Sequence, residues 1–242
     1  MTTLENAVDF SLTAEQKAVQ SAAREFARKE IDPIVDEIDE AQRFPRELFA
    51  QAGELGFLGI IFPEEYGGAG LSYVDYVLVV SELAQVDPSI GLGVAAHNSL
   101  CSNHIFKFGT EEQRQRWLVP LAKGEKIGAW SLTEPGAGSD AAGTRTRAEH
   151  VEGGWLLNGS KTFTTHGSVA DTCVVFAVSD PDGPKHHNLS AFIIERGTPG
   201  FRSGKKENKL GTRASDTAEV IMEDCFIPED QLLGAAGEGF IQ

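Results

Sequence analysis

The chain has 242 residues, of which 41% are hydrophobic and 24% charged, so it can bury one large hydrophobic core or two modest ones. Its 21 lysines and arginines stand against 36 aspartates and glutamates, and the formal charge of -15 disfavours nucleic acids and anionic membranes as partners. The first ten residues show no basic segment followed by an apolar run, and nowhere do about 18 apolar residues follow one another, so we predict a cytoplasmic protein without a membrane span.

The first half of the chain has the spacing of amphipathic helices. Thr13 and Gln16 match a capping box, and small or apolar residues then recur every three or four positions. Pro45 suits the first turn of a second helix, which we expect to end near Gly53 or Gly56.

Two further helix starts follow in the same half. Ser72 can cap a third helix that has Asp75 in its first turn. Thr110 repeats the capping-box pattern with Gln113. We therefore predict an N-terminal all-α helical domain over residues 1–126.

The pattern changes near Ile127, where β-branched and alternating segments separated by turn residues replace the helical spacing. Helices followed by strands indicate an α+β protein with segregated domains, not alternating βαβ units. We predict a β-barrel or sandwich-like domain over 127–231, and we expect 232–242 to begin a further helical domain. The predicted strands are Ala129–Thr133, Trp155–Leu157, Val174–Val178, Leu189–Ile194 and Glu219–Ile227.

The three cysteines, Cys101, Cys173 and Cys225, are dispersed and form no Cys-x-x-Cys pair. This usage favours buried free thiols in a reducing compartment over a disulfide framework or a zinc ribbon. His97, Cys101 and His104 have helical spacing and would share one helix face, but no carboxylate cluster accompanies them. We interpret them as core and pocket residues and predict no metal site.

The densest motif is Trp130-Ser-Leu-Thr-Glu-Pro-Gly-Ala-Gly-Ser-Asp140, a predicted strand that runs into a glycine-containing loop. Gly136 and Gly138 allow backbone N–H groups to approach a ligand, while Thr133 and Ser139 add hydroxyls suited to a polar ring edge or a phosphate. The loop formally fits a dinucleotide pattern, but a strand-like segment follows it where a Rossmann fold needs a helix, so we reject that fold. Taken alone, the loop is equally consistent with a glycine turn between strands.

A second motif, Asn158-Gly-Ser-Lys-Thr-Phe-Thr-Thr-His-Gly167, follows one hairpin later. Phe163 could flank an aromatic ring, and Thr164 and Thr165 offer hydroxyl and backbone donors beside it. Such donors suit a flavin, which gains charge around N1 and O2 on reduction. Spacing alone leaves an ordinary β-hairpin equally open, because threonine and phenylalanine are common in strands.

Four motifs in a fixed order resemble those of the acyl-CoA dehydrogenase family, and the resemblance covers nearly the whole chain. Four ordered motifs are far more specific than any one of them. They are Pro63-Glu-Glu-Tyr-Gly-Gly-Ala-Gly70, Leu132-Thr-Glu-Pro-Gly-Ala-Gly-Ser-Asp140, Leu157-Asn-Gly-Ser-Lys-Thr-Phe-Thr-Thr165 and Lys209-Leu-Gly-Thr-Arg-Ala-Ser-Asp-Thr217.

The resemblance implies FAD as the cofactor, bound between the β domain and a C-terminal four-helix domain that this chain lacks. Trp130, Leu132 and Thr133 would contact the isoalloxazine ring. Gly138 and Ser139 would lie near the pyrophosphate, and Ser139 would also contact the CoA arm of the substrate.

The second motif would contribute the other side of the same site. The resemblance implies that Phe163, Thr164 and Thr165 cover another part of the flavin, with Thr165 near N5, and that Leu100 contacts the acyl chain. Many family members have asparagine at the position of His166, which leaves the electron acceptor undecided.

The activity that the resemblance implies is α,β-dehydrogenation of an acyl-CoA by a homo-oligomer, commonly a tetramer, that passes electrons to an electron-transferring flavoprotein. The family's carboxylate base lies in the C-terminal domain. No residue here matches it, because Glu238 comes too early and Glu134 belongs to the flavin loop. We therefore predict no catalytic residue and a truncated, inactive chain. A non-catalytic binding module and an oxygen-using oxidase or monooxygenase-like relative are the alternatives.

Overall fold

The computed structural model describes residues 10–242, so residues 1–9 of the predicted helical domain lie outside the described part. A helical N-terminal half precedes a mixed eight-stranded sheet. This arrangement confirms the predicted α+β class and the order of helices before strands. None of the helices in residues 10–242 combines the length and the apolar character that a membrane span requires.

The helical half consists of α-helices of four turns or fewer, several of which are extended by wider or tighter turns. The helices are α1 (Ala14–Phe26), α2 (Val35–Glu40), α3 (Arg46–Glu54), α4 (Tyr73–Val86), α5 (Pro88–Ala96), α6 (Asn103–Phe108), α7 (Glu111–Gln113) and α8 (Val119–Ala122). Turns of π-helix at Ala27–Ile31, His97–Ser102 and Arg114–Leu118 extend α1, join α5 to α6 and join α7 to α8.

Helices α1, α4 and α7 begin with reciprocal capping boxes. The pairs are Thr13 with Gln16, Ser72 with Asp75, and Thr110 with Gln113. At the start of α4, the backbone N–H of Asp75 donates to the Ser72 hydroxyl at 3.3 Å, and the Asp75 carboxylate accepts from the Ser72 backbone at 3.0 Å. Each box satisfies N–H groups that the first helical turn leaves without an intrahelical partner.

The sheet runs in the order β6-β7-β3-β2-β4-β5-β8, and β1 pairs in parallel with β4 beside this path. The long antiparallel pair of β3 and β7 forms one side, and the pair of β4 and β5 forms the other. The strands are β1 (Gly128–Ser131), β2 (Arg147–Val151), β3 (Gly154–Thr165), β4 (Thr172–Val178), β5 (Leu189–Glu195), β6 (Phe201–Lys206), β7 (Thr217–Pro228) and β8 (Leu232–Leu233).

The predicted strands coincide with β1, β3, β4, β5 and β7, although β3 is much longer than its apolar start indicates. The sequence patterns do not predict β6, since most of its side chains are polar and at least partly exposed. It lies at the edge of the sheet and pairs only with β7 along the sheet path. Polar residues are common on such edges because they discourage further strand pairing.

Strand β4 is buried on both faces. Val174 and Phe176 pack with Trp117 of the helical half, whereas Val175 packs on the opposite side with Trp155 of β3. The two halves of the chain therefore share a core, and continuous apolar runs replace strict alternation in β4 and β5.

We expect Ser72→Ala to lower the free energy of unfolding by about 1 kcal/mol, because the N-cap of α4 loses its hydroxyl acceptor. Urea denaturation measures this change. Ser81 is exposed on the same helix and provides the control, for which we expect a change within about 0.5 kcal/mol. Equal effects at the two serines would contradict a capping role for Ser72.

Candidate functional site

One cavity brings the two central motifs together with the helical half. It has a volume of about 160 Å³ and opens where β1, β3 and the π-helical turn after α5 meet. Six of the predicted site residues line it, namely Leu100, Trp130, Leu132, Thr133, Phe163 and Thr165. Thr162 and Ala96 complete the lining, and neither was predicted.

The segment after β1 is fastened directly to β3. The backbone N–H of Thr162 donates to the carbonyl of Thr133 at 2.7 Å, which fixes the separation of the two motifs. The Trp130 ring packs edge-on against Phe176, with 5.0 Å between ring centroids. Trp130 is therefore supported from the sheet side while it lines the cavity.

A bulge in β3 turns Phe163 towards solvent. The register with β7 shifts between Lys161 and Thr164, so that Thr162 and Phe163 together oppose Glu219. Phe163 adopts a φ of 56°, a left-handed conformation that is rare for a bulky residue. Its side chain stays 65% exposed, and an aromatic ring at the edge of the cavity can cover a planar ligand.

A buried ion pair fixes the loop that follows the first motif. The Lys161 Nζ donates to Glu134 Oε1 at 2.8 Å and to the Leu132 carbonyl at 3.1 Å. The Glu134 carboxylate also accepts the Arg145 backbone N–H at 2.7 Å and both the N–H and the hydroxyl of Thr146. Burial alone would raise the pKa of Glu134, but the bonds from Lys161 and Thr146 outweigh it and hold that pKa below its ordinary value. Glu134 is a carboxylate fully engaged in positioning this loop.

Three predicted site residues lie outside the cavity lining. The side chain of Thr164 is buried, and its hydroxyl is 2.6 Å from that of Ser131, so it is occupied within the protein. Gly138 and Ser139 belong to the loop beyond Glu134, where Ser139 is exposed. A Cβ added at Gly136 or Gly138 would meet no atom within 4 Å, which leaves open space above this backbone.

Two polar atoms of the cavity residues are shielded from solvent without a hydrogen-bond partner in the described structure. They are Oγ1 of Thr162 and Nε1 of Trp130. Atoms of this kind also occur away from the cavity, for example Nε1 of Trp117 and of Trp155, so they do not by themselves mark a ligand site. With Phe163 taken as a site residue, strict alternation along β3 would place Thr162 on the opposite face of the strand. The bulge brings both residues to the cavity, which is why sequence reasoning missed Thr162.

Two buried histidines lie on either side of Gly128 at the start of β1. His97 Nδ1 accepts the Gly128 N–H at 3.1 Å, and its Nε2 donates to the Leu121 carbonyl at 3.1 Å. His166 Nδ1 donates to the Gly128 carbonyl at 3.0 Å. Burial lowers the pKa of His97 to about 3 and also lowers the pKa of His166. Both rings are neutral. His97 links the start of β1 to the helical half, and His166 links it to the turn after β3.

The helical spacing of His97, Cys101 and His104 does not bring their side chains into a common ligand set. Both ring nitrogens of His97 are occupied, and His104 Nε2 lies 3.2 Å from Gln242 Oε1. Within the described residues, no three His, Cys, Asp or Glu side chains are grouped so that they could hold a metal ion.

Larger clefts lie on the helical half. One of about 460 Å³ between α1 and α3 is lined by Phe26 and Leu55 together with charged residues such as Lys29 and Glu54. None of the predicted site residues contributes to it. The residues that line the smaller cavity, and not its volume, therefore identify it as the candidate site.

Comparison with known protein families gives two matches. The family described as "Acyl-CoA dehydrogenase, N-terminal domain" matches residues 13–125, and that described as "Acyl-CoA dehydrogenase, middle domain" matches residues 129–225. Together these matches span most of the chain.

Individual relatives agree with this assignment. A short-chain specific acyl-CoA dehydrogenase from Clostridium acetobutylicum is 50% identical over 234 residues, which are 96% of this chain and 61% of that protein. A chain in the solved structure of the electron transferring flavoprotein of Acidaminococcus fermentans superposes with a TM-score of 0.94 at 50% identity, covering 97% of this chain and 61% of that one. An acyl-CoA dehydrogenase from Bacillus anthracis complexed with FAD gives a TM-score of 0.90 at 36% identity, covering 97% and 41%. The chain thus spans about three fifths of the Clostridium protein's length.

We expect Lys161→Met to lower the free energy of unfolding by about 3 kcal/mol or more, because Glu134 would remain buried without its cation. In the double variant with Glu134→Gln, no unpaired buried charge remains, so urea denaturation should show that at least half of the lost free energy of unfolding returns. Lys29→Met removes a lysine from an exposed ion pair and should change stability by no more than about 0.5 kcal/mol. A loss at Lys161 as small as that at Lys29 would contradict the positioning role.

We expect acid to destabilise the protein in part through His97. Between its ordinary value of 6.5 and its folded pKa of about 3, the unfolded chain binds a proton that the folded protein excludes, so stability falls as the pH falls. Over this pH range, His97 lowers the free energy of unfolding by about 1.4 kcal/mol for each pH unit of acidification. Urea denaturation at pH 7.5 and pH 5 should show that the wild type loses about 2 kcal/mol more than His97→Gln over this range. Equal losses in the two proteins would contradict the assignment of a neutral buried ring.

Proposed function

Because the chain belongs to the acyl-CoA dehydrogenase family, we propose that it takes part in the FAD-dependent α,β-dehydrogenation of an acyl-CoA thioester. The observation that carries this proposal is the cavity in which the two central motifs meet, with Trp130 and Thr133 from one motif and Phe163 and Thr165 from the other. The FAD complex of the Bacillus anthracis relative supports the choice of cofactor.

The residues at the cavity fit a flavin ring. Trp130 and Leu132 supply apolar surface, Thr133 and Thr165 supply hydroxyls, and the exposed Phe163 ring can lie over a planar system. Cavities that enclose a whole ligand usually measure about 300 to 1,000 Å³, so this one of about 160 Å³ suits one part of a dinucleotide. We propose that the open backbone at Gly138 and Ser139 receives the phosphates. FAD, when bound, supplies a hydride acceptor at N5 of its ring.

Dehydrogenation also requires a base that removes the α-proton, and a base must reach its proton within hydrogen-bond distance. Glu134 accepts four hydrogen bonds at its carboxylate, so it holds the loop and is not free to take a proton. We assign no catalytic residue within the described part of the chain. We propose that the base comes from a region of the protein beyond these 242 residues, and the greater length of the Clostridium relative supports this.

The substrate that we propose is a short-chain acyl-CoA, as the Clostridium relative's specificity supports. Leu100 lines the cavity with 39% of its surface exposed, and we propose that it contacts the acyl chain. Ser139 would contact the CoA arm.

We further propose a cytoplasmic homo-oligomer that delivers electrons to an electron-transferring flavoprotein. The similar chain in the Acidaminococcus fermentans structure supports this electron acceptor. The buried, free thiols of Cys101, Cys173 and Cys225 suit a reducing compartment.

Visible spectroscopy of the purified protein with FAD, before and after anaerobic addition of an acyl-CoA, tests this function. We expect the 242-residue chain to bind FAD and to stay unreduced by butyryl-CoA, while dithionite reduces the same sample as a control. The protein extended by the region with the base should be bleached faster by butyryl-CoA than by octanoyl-CoA or isovaleryl-CoA.

Other outcomes contradict parts of the proposal. Failure of both proteins to retain FAD would contradict the flavin site and favour a binding module with another ligand. Bleaching of the 242-residue chain by butyryl-CoA would place a base within it. Rapid oxygen consumption after bleaching would favour an oxidase over a dehydrogenase.

A further inference from the structure

Thr165 ends strand β3 and lines the cavity, and each of its two neighbours in the chain is bonded to β1. The hydroxyl of Thr164 lies 2.6 Å from that of Ser131, and Nδ1 of His166 donates to the Gly128 carbonyl at 3.0 Å. Gly128 and Ser131 are the first and last residues of β1. The two hydrogen bonds therefore link the end of β3 to both ends of β1.

Trp130 lies between these two bonds on β1, as Thr165 lies between them on β3. Trp130 belongs to the first central motif and Thr165 to the second, and both line the same cavity. One cavity residue from each motif is thus enclosed by the same pair of cross-links. The pair of bonds fixes how far apart these two residues lie.

The strand pairings of the described sheet do not join β1 to β3. Strand β1 pairs in parallel with β4, whereas β3 pairs with β2 and β7. The register of β3 with β7 also shifts between Lys161 and Thr164, and His166 adopts a left-handed φ of 63°. Thr165 therefore lies in a short regular stretch between two irregularities, where the bonds of its neighbours have a large effect on its position.

Both bonds are shielded from water. Ser131, Thr164 and His166 are all buried. The His166 ring also packs edge-on against Phe44 and Phe49, with 5.1 and 5.5 Å between ring centroids. Because water cannot replace a partner in such a place, breaking either bond would leave a buried polar group unpaired and favour a shift of β3 relative to β1.

We infer that Ser131 and His166 are positioning residues, which hold Trp130 and Thr165 at the separation that the flavin ring requires. This inference rests on the proposed flavin site and adds two residues that do not line the cavity themselves. It also gives Thr164 a role other than contact with the flavin, since its hydroxyl is bonded to Ser131. Binding groups keep a productive geometry when neighbouring residues lock them in place.

Titration of the purified protein with FAD, followed by flavin fluorescence and by the visible spectrum of the bound form, tests the inference with four variants. Ser131→Ala removes one of the two bonds. His166→Asn keeps an amide N–H close to the position of Nδ1, whereas His166→Gln moves that group out towards the position of Nε2. Ser179→Ala is the matched control, because its hydroxyl lies 2.5 Å from that of Ser190 in a similar pair outside the cavity lining.

We expect Ser131→Ala and His166→Gln each to bind FAD roughly 3- to 10-fold more weakly than the wild type, with a shifted visible band. His166→Asn should stay within about twofold of the wild-type affinity, although its smaller side chain leaves space beside Phe49 and lowers the resistance to urea. Ser179→Ala should keep the wild-type affinity and spectrum. FAD affinity would then follow the bonds to β1 and not the stability of each variant.

Several results would overturn the inference while the flavin site itself stands. One is unchanged FAD affinity and spectrum in both Ser131→Ala and His166→Gln, and Ser131→Ala decides alone if His166→Gln does not fold. Equal weakening in Ser179→Ala, or weakening of His166→Asn to the level of His166→Gln, would show that FAD binding follows general stability. Absence of FAD binding by the wild type would instead overturn the proposed flavin site together with this inference.

Discussion

The burial of β4 on both faces is the constraint on which the rest of the structure depends. One face packs against the helical half and the other against β3, so neither half can complete its core without the other. Strand β1 pairs with β4 in parallel, and the neutral rings of His97 and His166 bond the backbone of Gly128 from two sides. The start of β1 is thereby held between helix and sheet, and the candidate site forms at the other end of this short strand.

Beside this junction, a buried ion pair with all of its carboxylate bonds made holds the loop after β1. Glu134 and Lys161 are both removed from water, which is costly, but their mutual bond and the backbone donors around Glu134 offset that cost and favour one loop conformation. The exposed ion pairs of Arg43 are much weaker constraints, because water competes for both partners. Rigid support beneath a candidate site is what preorganised binding requires.

Much of the fold can be predicted from the sequence because its signals are local. A capping box such as that of Thr13 needs only four residues, and the apolar run of β4 signals burial on both faces. The two central motifs contain five of the residues that line the cavity, and the family resemblance added Leu100. The bulge at Phe163 depends on the register with β7, a contact between distant parts of the chain, so alternation could not predict that Thr162 and Phe163 both line the cavity. Edge strand β6 escaped prediction because its side chains lack an apolar face.

The π-helical turn His97–Ser102 between α5 and α6 has a consequence for how this family changes by insertion and deletion. Such a turn holds one residue more than an α-helical turn, and one residue rotates everything after it by about 100° around the helix axis. Ala96, before this turn, lines the cavity, and Ile105, after it, enters the core beside the sheet, so the extra residue sets the rotation between the two. In a homologue without the extra residue, the side chains before or after the turn could point as they do in this chain. The two sets could not both do so. A one-residue gap at this turn in an alignment therefore separates relatives that share this cavity wall from relatives that have rebuilt it.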